Sequence, residues 1–98
     1  MMTIEQKSAT ELTVSGNIKT IDDSIALRAA VQKLVDGGGS GIMLRIPDSF
    51  AMPSAVIGYL MKLVNRDKVQ LNVIAGDQRL RELLDELQLT EQFGVRER

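Results

Sequence analysis

Two serines are the residues of this chain whose types and spacing could support chemistry. They lie in the stretch PDSFAMPSAVIGYL, residues 47–60, where Ser49 and Ser54 each stand close to a proline. The chain has no histidine and no cysteine, so Ser–His pairs, Cys–His pairs and thiolate sites are excluded. An enzyme would need a Ser–Lys pair or paired carboxylates. We therefore expect no enzymatic activity and interpret the serines as candidates for modification or as turn and cap residues.

The remaining candidate motifs favour structural roles. Asp85 and Glu86 are adjacent on a predicted helix, where neighbouring side chains diverge by about 100°, so we interpret them as part of a solvated face and not as an acid–base pair or a metal site. The glycine-rich stretch DGGGSG, residues 36–41, follows a helix and enters a strand. Phosphate-binding loops have the reverse order, which makes this stretch a connector. We expect no metal and no cofactor.

Length and composition limit the class of protein. The chain has 98 residues, which is enough for one domain, and 12 Lys and Arg residues against 13 Asp and Glu residues. No basic run indicates a nucleic-acid partner. The lack of cysteine fits the cytoplasm, and no apolar run approaches the roughly 18 residues that cross a bilayer. We expect a soluble, cytoplasmic protein without membrane insertion.

Hydrophobic periodicity predicts two strands and then a helix in the first half of the chain. Polar and apolar residues alternate in MTIEQ and ELTVSGNI, and the polar link between them is typical of a hairpin. The next segment, SIALRAAVQKLVDGGG, places Leu27, Val31 and Leu34 on one helical face and ends in glycines suited to a C-cap. The residues that could cap this helix are Asp22, Asp23 and Ser24.

The second half alternates strands and helices. GIMLRI is short, apolar and bounded by Gly41 and Pro47, which predicts a central strand buried on both faces. A helix follows in PSAVIGYLMKLVNRD, a strand in KVQLNVIAG, a helix capped by Asp77 in DQRLRELLDELQL, and a last short strand over residues 93–95. The apolar positions of the two helices are Ile57, Leu60 and Val64, and then Leu80, Leu83, Leu84 and Leu87.

This order of elements predicts an α/β fold. Its central, mostly parallel sheet has four to five strands with an N-terminal antiparallel hairpin, and three to four helices pack against it.

From Leu12 to about Val95, these segments resemble the STAS domain family, the sulfate-transporter and anti-sigma-factor-antagonist domains. LTVSGNIKTIDDSIAL resembles the family's strand ending in Gly-Glu-Leu-Asp, with Gly16, Asn17, Ile18 and Lys19 at those positions. GIMLRIPDSFAMPSAVIGYL resembles the apolar strand, Asp-Leu-Ser and the loop into Asp-Ser-Ser-Gly-Leu-Gly-x-Leu. VQLNVIAGDQRLRELLDELQLTEQF resembles the next strand, a glycine, the third helix and the closing Leu-x-x-x-Phe. The resemblance implies a STAS-like fold.

The resemblance also points to Ser54 as the phosphorylation candidate. Arg45 stands at the family's first Asp and Pro53, eight positions later, at the second, so Ser54 falls on the serine that the antagonist branch presents to a partner kinase. Ser49, in the literal pair Asp48-Ser49, is the backup. That alternative would put Pro53 about four residues inside the helix, where proline breaks it. We expect Pro53 at the first helical position and Ser54 in the first turn, near the positive helix end.

The resemblance implies a protein that binds another protein through the loop and helix at residues 48–62. In the antagonist branch the unmodified domain captures an anti-sigma factor kinase, and serine phosphorylation releases it. The alternative is a constitutive accessory subunit on the ATPase of a lipid-transporting ABC transporter. We expect Arg45 to pair with a Ser54 phosphate or with Asp48. Whether the domain forms a homodimer stays open. The predicted docking residues are Arg45, Asp48, Pro53, Ser54, Ala55, Ile57, Gly58, Tyr59, Met61 and Lys62.

Overall fold

Alternating apolar residues build a four-stranded sheet whose spatial order follows the chain. The structure is a computed structural model that describes residues 2–38 and 41–97. Its strands run in the order β1-β2-β3-β4, with β1 antiparallel to β2 and the other neighbours parallel. The strands are β1, Thr3–Gln6; β2, Glu11–Ser15; β3, Gly41–Ile46; and β4, Gln70–Ala75. The predicted hairpin and mostly parallel sheet are confirmed.

Three helices connect or follow the parallel strands. They are α1, Ile21–Asp36; α2, Ser54–Asn65; and α3, Gln78–Glu86. Thr20 caps α1 in place of the expected Asp22, Asp23 or Ser24: its side chain accepts from the Asp23 N–H while the Asp23 carboxylate accepts from the Thr20 N–H. Asp77 caps α3 as predicted. Within residues 2–38 and 41–97, no helix is both long enough and apolar enough to cross a bilayer.

The central strand is buried on one face, and the prediction of two buried faces is wrong. Ile42, Leu44 and Ile46 are buried, whereas Met43 is half-buried and Arg45 is exposed. The chain adds β2, β3 and β4 in one direction, so right-handed crossovers place α1 and α2 on the same side of the sheet. The opposite face of the sheet, which we call the open face, carries the outward-pointing residues.

The buried positions of α2 and the end of α3 also differ from prediction. The buried residues of α2 are Val56, Leu60 and Leu63, while Ile57 and Val64 are half-buried at the margin of that face. Because α3 ends at Glu86, Leu87 is its C-cap and remains 49% exposed.

The last predicted strand differs from prediction, whereas the predicted glycine C-cap of α1 is confirmed. The predicted last strand is reduced to one bridge between Arg96 and Ile74, and Phe93 is instead fully buried in the core. Of the glycine connector, Gly37 caps α1 and Gly38 takes a positive φ of 95°, which favours glycine. Residues 39 and 40 of the connector lie outside the described residues.

Candidate functional site

Three loops meet where the parallel strands end. The carboxyl ends of β2, β3 and β4 lie at one edge of the sheet, so residues 16–20, 47–53 and 76–77 become neighbours. Three hydrogen bonds join the first two loops. The Gly16 N–H donates to the Asp48 carboxylate (3.3 Å), the Ile18 N–H to the Ser49 hydroxyl (3.1 Å), and the Phe50 N–H to the Asn17 side-chain oxygen (3.1 Å). The two loops therefore form one connected platform.

Ser49 is the buried centre of this platform. It is 0% exposed, and its hydroxyl accepts from the Ile18 N–H while donating to the Ala51 carbonyl at 2.7 Å. A hydroxyl that accepts one buried amide and donates to a carbonyl satisfies groups that would otherwise be desolvated without a partner. The geometry of Ser49 is that of a turn-forming residue.

Ser54 has the opposite environment. It is exposed and is the first residue of α2, so it lies in the first helical turn as expected. Pro53 is the N-cap and not the first helical residue, and its carbonyl accepts from the N–H groups of Val56 (2.9 Å) and Ile57 (3.1 Å). No side chain caps α2, and its first turn contains no acidic residue. An anion at Ser54 would meet the positive end of the helix without a competing carboxylate in that turn.

The outer face of α2 carries most of the predicted docking residues. Those that are exposed are Ser54, Ala55, Gly58, Met61 and Lys62, whereas Ile57 and Tyr59 are half-buried. The helix is open to solvent at Gly58, where an added Cβ would meet no atom within 4 Å. We call residues 48–62, the range that the sequence predicts for partner binding, the docking surface.

Tyr59 links this surface to α1. Its hydroxyl donates to the Gln32 side-chain oxygen at 2.6 Å, and the Arg28 guanidinium lies 5.4 Å from the centre of its ring. Burial raises the pKa of Tyr59, and the nearby Arg28 opposes part of that rise. Tyr59, one of the predicted docking residues, is thus half-buried and forms a bridge between α1 and α2.

Arg45 does not join the docking surface. Strand alternation points it to the open face, where its Nε donates to the Glu11 carboxylate at 2.7 Å across the β2–β3 pair. The expected pairing with Asp48 does not form, because the Asp48 carboxylate accepts from the Gly16 N–H instead. The open face lies opposite α2, so Arg45 is also poorly placed to reach a phosphate on Ser54.

Several residues beside Ser54 or within the docking surface were not predicted from the sequence. Ile21 and Ile25 of α1 are 80% and 56% exposed and line a groove with Ser54. Their signal is apolar spacing at i and i+4 away from the core positions of α1. Phe50, 41% exposed in the second loop, stacks under the Arg79 guanidinium at 4.7 Å. This contact depends on the meeting of two loops, which no local pattern indicates.

Two carboxylates near this edge are ionised more readily than usual. Hydrogen bonds from the backbone N–H groups of Lys19 and Thr20 lower the pKa of Asp23, and the Arg79 side chain lowers that of Asp77. Both carboxylates serve as helix caps. Within residues 2–38 and 41–97, no group of three or more histidine, cysteine or carboxylate residues is placed to hold a metal ion.

Comparison with solved structures identifies the architecture. A crystal structure of an anti-sigma factor antagonist from Mycobacterium paratuberculosis matches with a TM-score of 0.74 and 16% identity, over 97% of this chain and 83% of that chain. This chain has the fold of that antagonist. The STAS-like fold that the sequence resemblance implies is therefore confirmed. No family model matches the chain, and no curated protein is significantly similar to it in sequence.

Proposed function

We propose that this domain is a regulatory module that binds another protein through the docking surface, and that phosphorylation of Ser54 switches this binding. The observation that carries the proposal is the contrast between the two serines. Ser54 is exposed at the start of α2, whereas Ser49 is fully buried and hydrogen-bonded. The solved neighbour is an anti-sigma factor antagonist, which makes an anti-sigma factor with kinase activity the partner class that we propose.

The electrostatics of the first turn of α2 support such a switch. A phosphate adds a charge of about −1.5 to −2. It would sit at a helix end without a side-chain cap or a first-turn acid, in a groove that Lys19 and Arg28 also line. The same charge would face any partner seated on Ala55 and Met61, which are exposed and uncharged. Phosphorylation is therefore compatible with the folded domain and unfavourable for an apolar or acidic interface.

Affinity capture of the full chain from its own cells, with intact-mass measurement of the bait, tests this proposal. We expect a captured kinase or anti-sigma factor and a bait fraction that carries one phosphate. Ser54→Ala should abolish the added mass, whereas Ser8→Ala, at another exposed serine, should leave it unchanged. A phosphate that persists in Ser54→Ala would refute the switch at this residue.

One observation favours a second candidate function, the accessory subunit of a transporter ATPase. Pro53 occupies the N-cap of α2, where the family pattern places an acid, so the residue before Ser54 carries no charge. A constitutive subunit needs a docking surface and no kinase substrate. In the same capture experiment, an unmodified bait bound to a transporter ATPase would support this function over the switch.

A further inference from the structure

Two adjoining grooves run between α1 and α2, and Ser54 lines one of them. One has a volume of about 270 Å³ and the other about 310 Å³, and both are lined by Ile25 and Arg28. We call the combined feature the α1–α2 groove. The lining residues that matter below are Lys19, Ile21, Ile25, Arg28, Ala55 and Tyr59.

The α1 side of this groove is a regular stripe. Ile21, Ile25, Arg28 and Gln32 are spaced i, i+4, i+7 and i+11, which aligns them on one helical face away from the buried core positions. At 1.5 Å per residue the stripe is about 16 Å long, close to three turns of a second helix. Ile21 is 80% exposed and Ile25 is 56% exposed, so the stripe leaves two large apolar side chains in water. A groove of this shape fits an amphipathic helix.

The charge of the groove is one-sided. Lys19 and Arg28 are cations, and no Asp or Glu is among the described residues that line either part. This contrasts with the whole chain, in which 13 acidic residues slightly outnumber 12 basic ones. Two acids of α1 lie beside the groove, and groups of this chain already bind both of their carboxylates. The Asp23 carboxylate accepts from the backbone N–H groups of Lys19 and Thr20, and the Asp36 carboxylate accepts from the Gln32 side-chain amide at 2.9 Å. The two cations that line the groove, Lys19 and Arg28, therefore favour an acidic partner segment.

We infer that the α1–α2 groove binds an acidic amphipathic helix of the partner protein. Its apolar residues cover Ile21 and Ile25, and its carboxylates pair with Lys19 and Arg28. This inference rests on the proposed function and deepens it, because it extends the docking surface onto α1 and states the chemistry of the partner. A phosphate on Ser54 would place negative charge in the same groove and compete with those carboxylates.

Two synthetic helical peptides of about four turns test the inference with the full chain. Both carry leucines at i, i+4 and i+7, and they differ only in whether the flanking positions are Glu or Lys. Tyr59 is the single tyrosine in a chain without tryptophan, so its fluorescence reports directly on the groove. We expect saturable binding of the Glu peptide, weakened by salt, with amide chemical-shift changes along α1, and at least about tenfold weaker binding of the Lys peptide.

Variants locate the binding. Arg28→Glu should lower the affinity for the Glu peptide about fivefold, and Ile25→Gln should lower it about tenfold. The matched controls Lys33→Glu on α1 and Leu87→Gln at the end of α3 should leave affinity unchanged, since neither residue lines the groove. Three results would each overturn the inference: equal affinities for the Lys and Glu peptides, amide chemical-shift changes confined to the open face, or binding of the Glu peptide that does not saturate up to about 1 mM.

Two variants distinguish binding in the α1–α2 groove from docking on α2 alone. If a cellular partner is lost on Gly58→Arg but kept by the double variant Ile25→Gln, Arg28→Glu, docking on α2 stands and the groove assignment is overturned. If both variants lose the partner while both remain folded by circular dichroism, the groove assignment is supported.

Discussion

Substitution of Ser49 by alanine should destabilise the domain markedly, because this hydroxyl holds two loops together. In the parent, the Ile18 N–H donates to the Ser49 hydroxyl at 3.1 Å, and Ile18 is only 1% exposed. The variant leaves this buried N–H without an acceptor. An unsatisfied buried donor costs about 1–3 kcal/mol. The Ala51 carbonyl, which loses its 2.7 Å donor, belongs to a half-buried residue that water can reach, so we add little for it. We expect a loss of about 2 kcal/mol in the free energy of unfolding.

Urea and thermal unfolding, followed by circular dichroism, measure this loss. A loss of about 2 kcal/mol corresponds to a fall in Tm of about 8 °C or more for a domain of this size. The urea dependence of the unfolding free energy should not change. Ser54→Ala is the matched control, because Ser54 is exposed and makes no capping hydrogen bond. The free energy of unfolding of this variant should stay within about 0.5 kcal/mol of the parent value. Equal stabilities of the two variants would refute the role assigned to Ser49.

Three further predictions use the same unfolding measurements. Gly58→Ala should raise stability by about 0.5–1 kcal/mol, because a Cβ fits there without contact and alanine is the better helix former; a lower Tm would contradict the open environment of that face. Gly76→Ala should lower stability by about 1–3 kcal/mol, because its Cβ would lie 2.6 Å from the Pro47 carbonyl oxygen; an unchanged Tm would show that this contact relaxes freely. Asp23 has a lowered pKa in the folded state, so its contribution is present above the ordinary carboxyl value of 3.8 and is lost as the pH falls below it. Asp23→Asn should therefore flatten the decline of Tm between about pH 5 and pH 2, and a decline identical to that of the parent would refute this role.

The order of the elements could be predicted because it depends on local periodicity. The alternation around Leu12 and Val14 and the helical spacing of Leu27, Val31 and Leu34 report burial on one face, and all five residues are buried in the structure. The number of buried faces of β3 could not be predicted, because it depends on which side of the sheet the crossovers occupy. In GIMLRI the exposed position is Arg45, whose stem and charge fit the open face beside Glu11.

The candidate site was only partly predictable for a related reason. The position of Ser54 in the first turn of α2 was predicted from the preceding proline, a local signal that located the start of the helix to within one residue. The role of Ser49 depends on the Ile18 N–H, which comes from a distant loop that the parallel strands bring to the same edge. The exposure of Ile21 and Ile25 likewise depends on how α1 packs beside α2.

Capture of a partner by the full chain and by Gly58→Arg measures whether the exposed face of α2 binds that partner. Arginine at this position has space and improves helix propensity over glycine, so the variant should fold at least as stably as the parent while it blocks the exposed face of α2. Leu87→Gln, which changes an exposed residue outside the docking surface, is the control. We expect the parent and Leu87→Gln to retain the same partner and Gly58→Arg to lose it. A folded Gly58→Arg variant that captures this partner as well as the parent does would show that the partner does not bind the exposed face of α2.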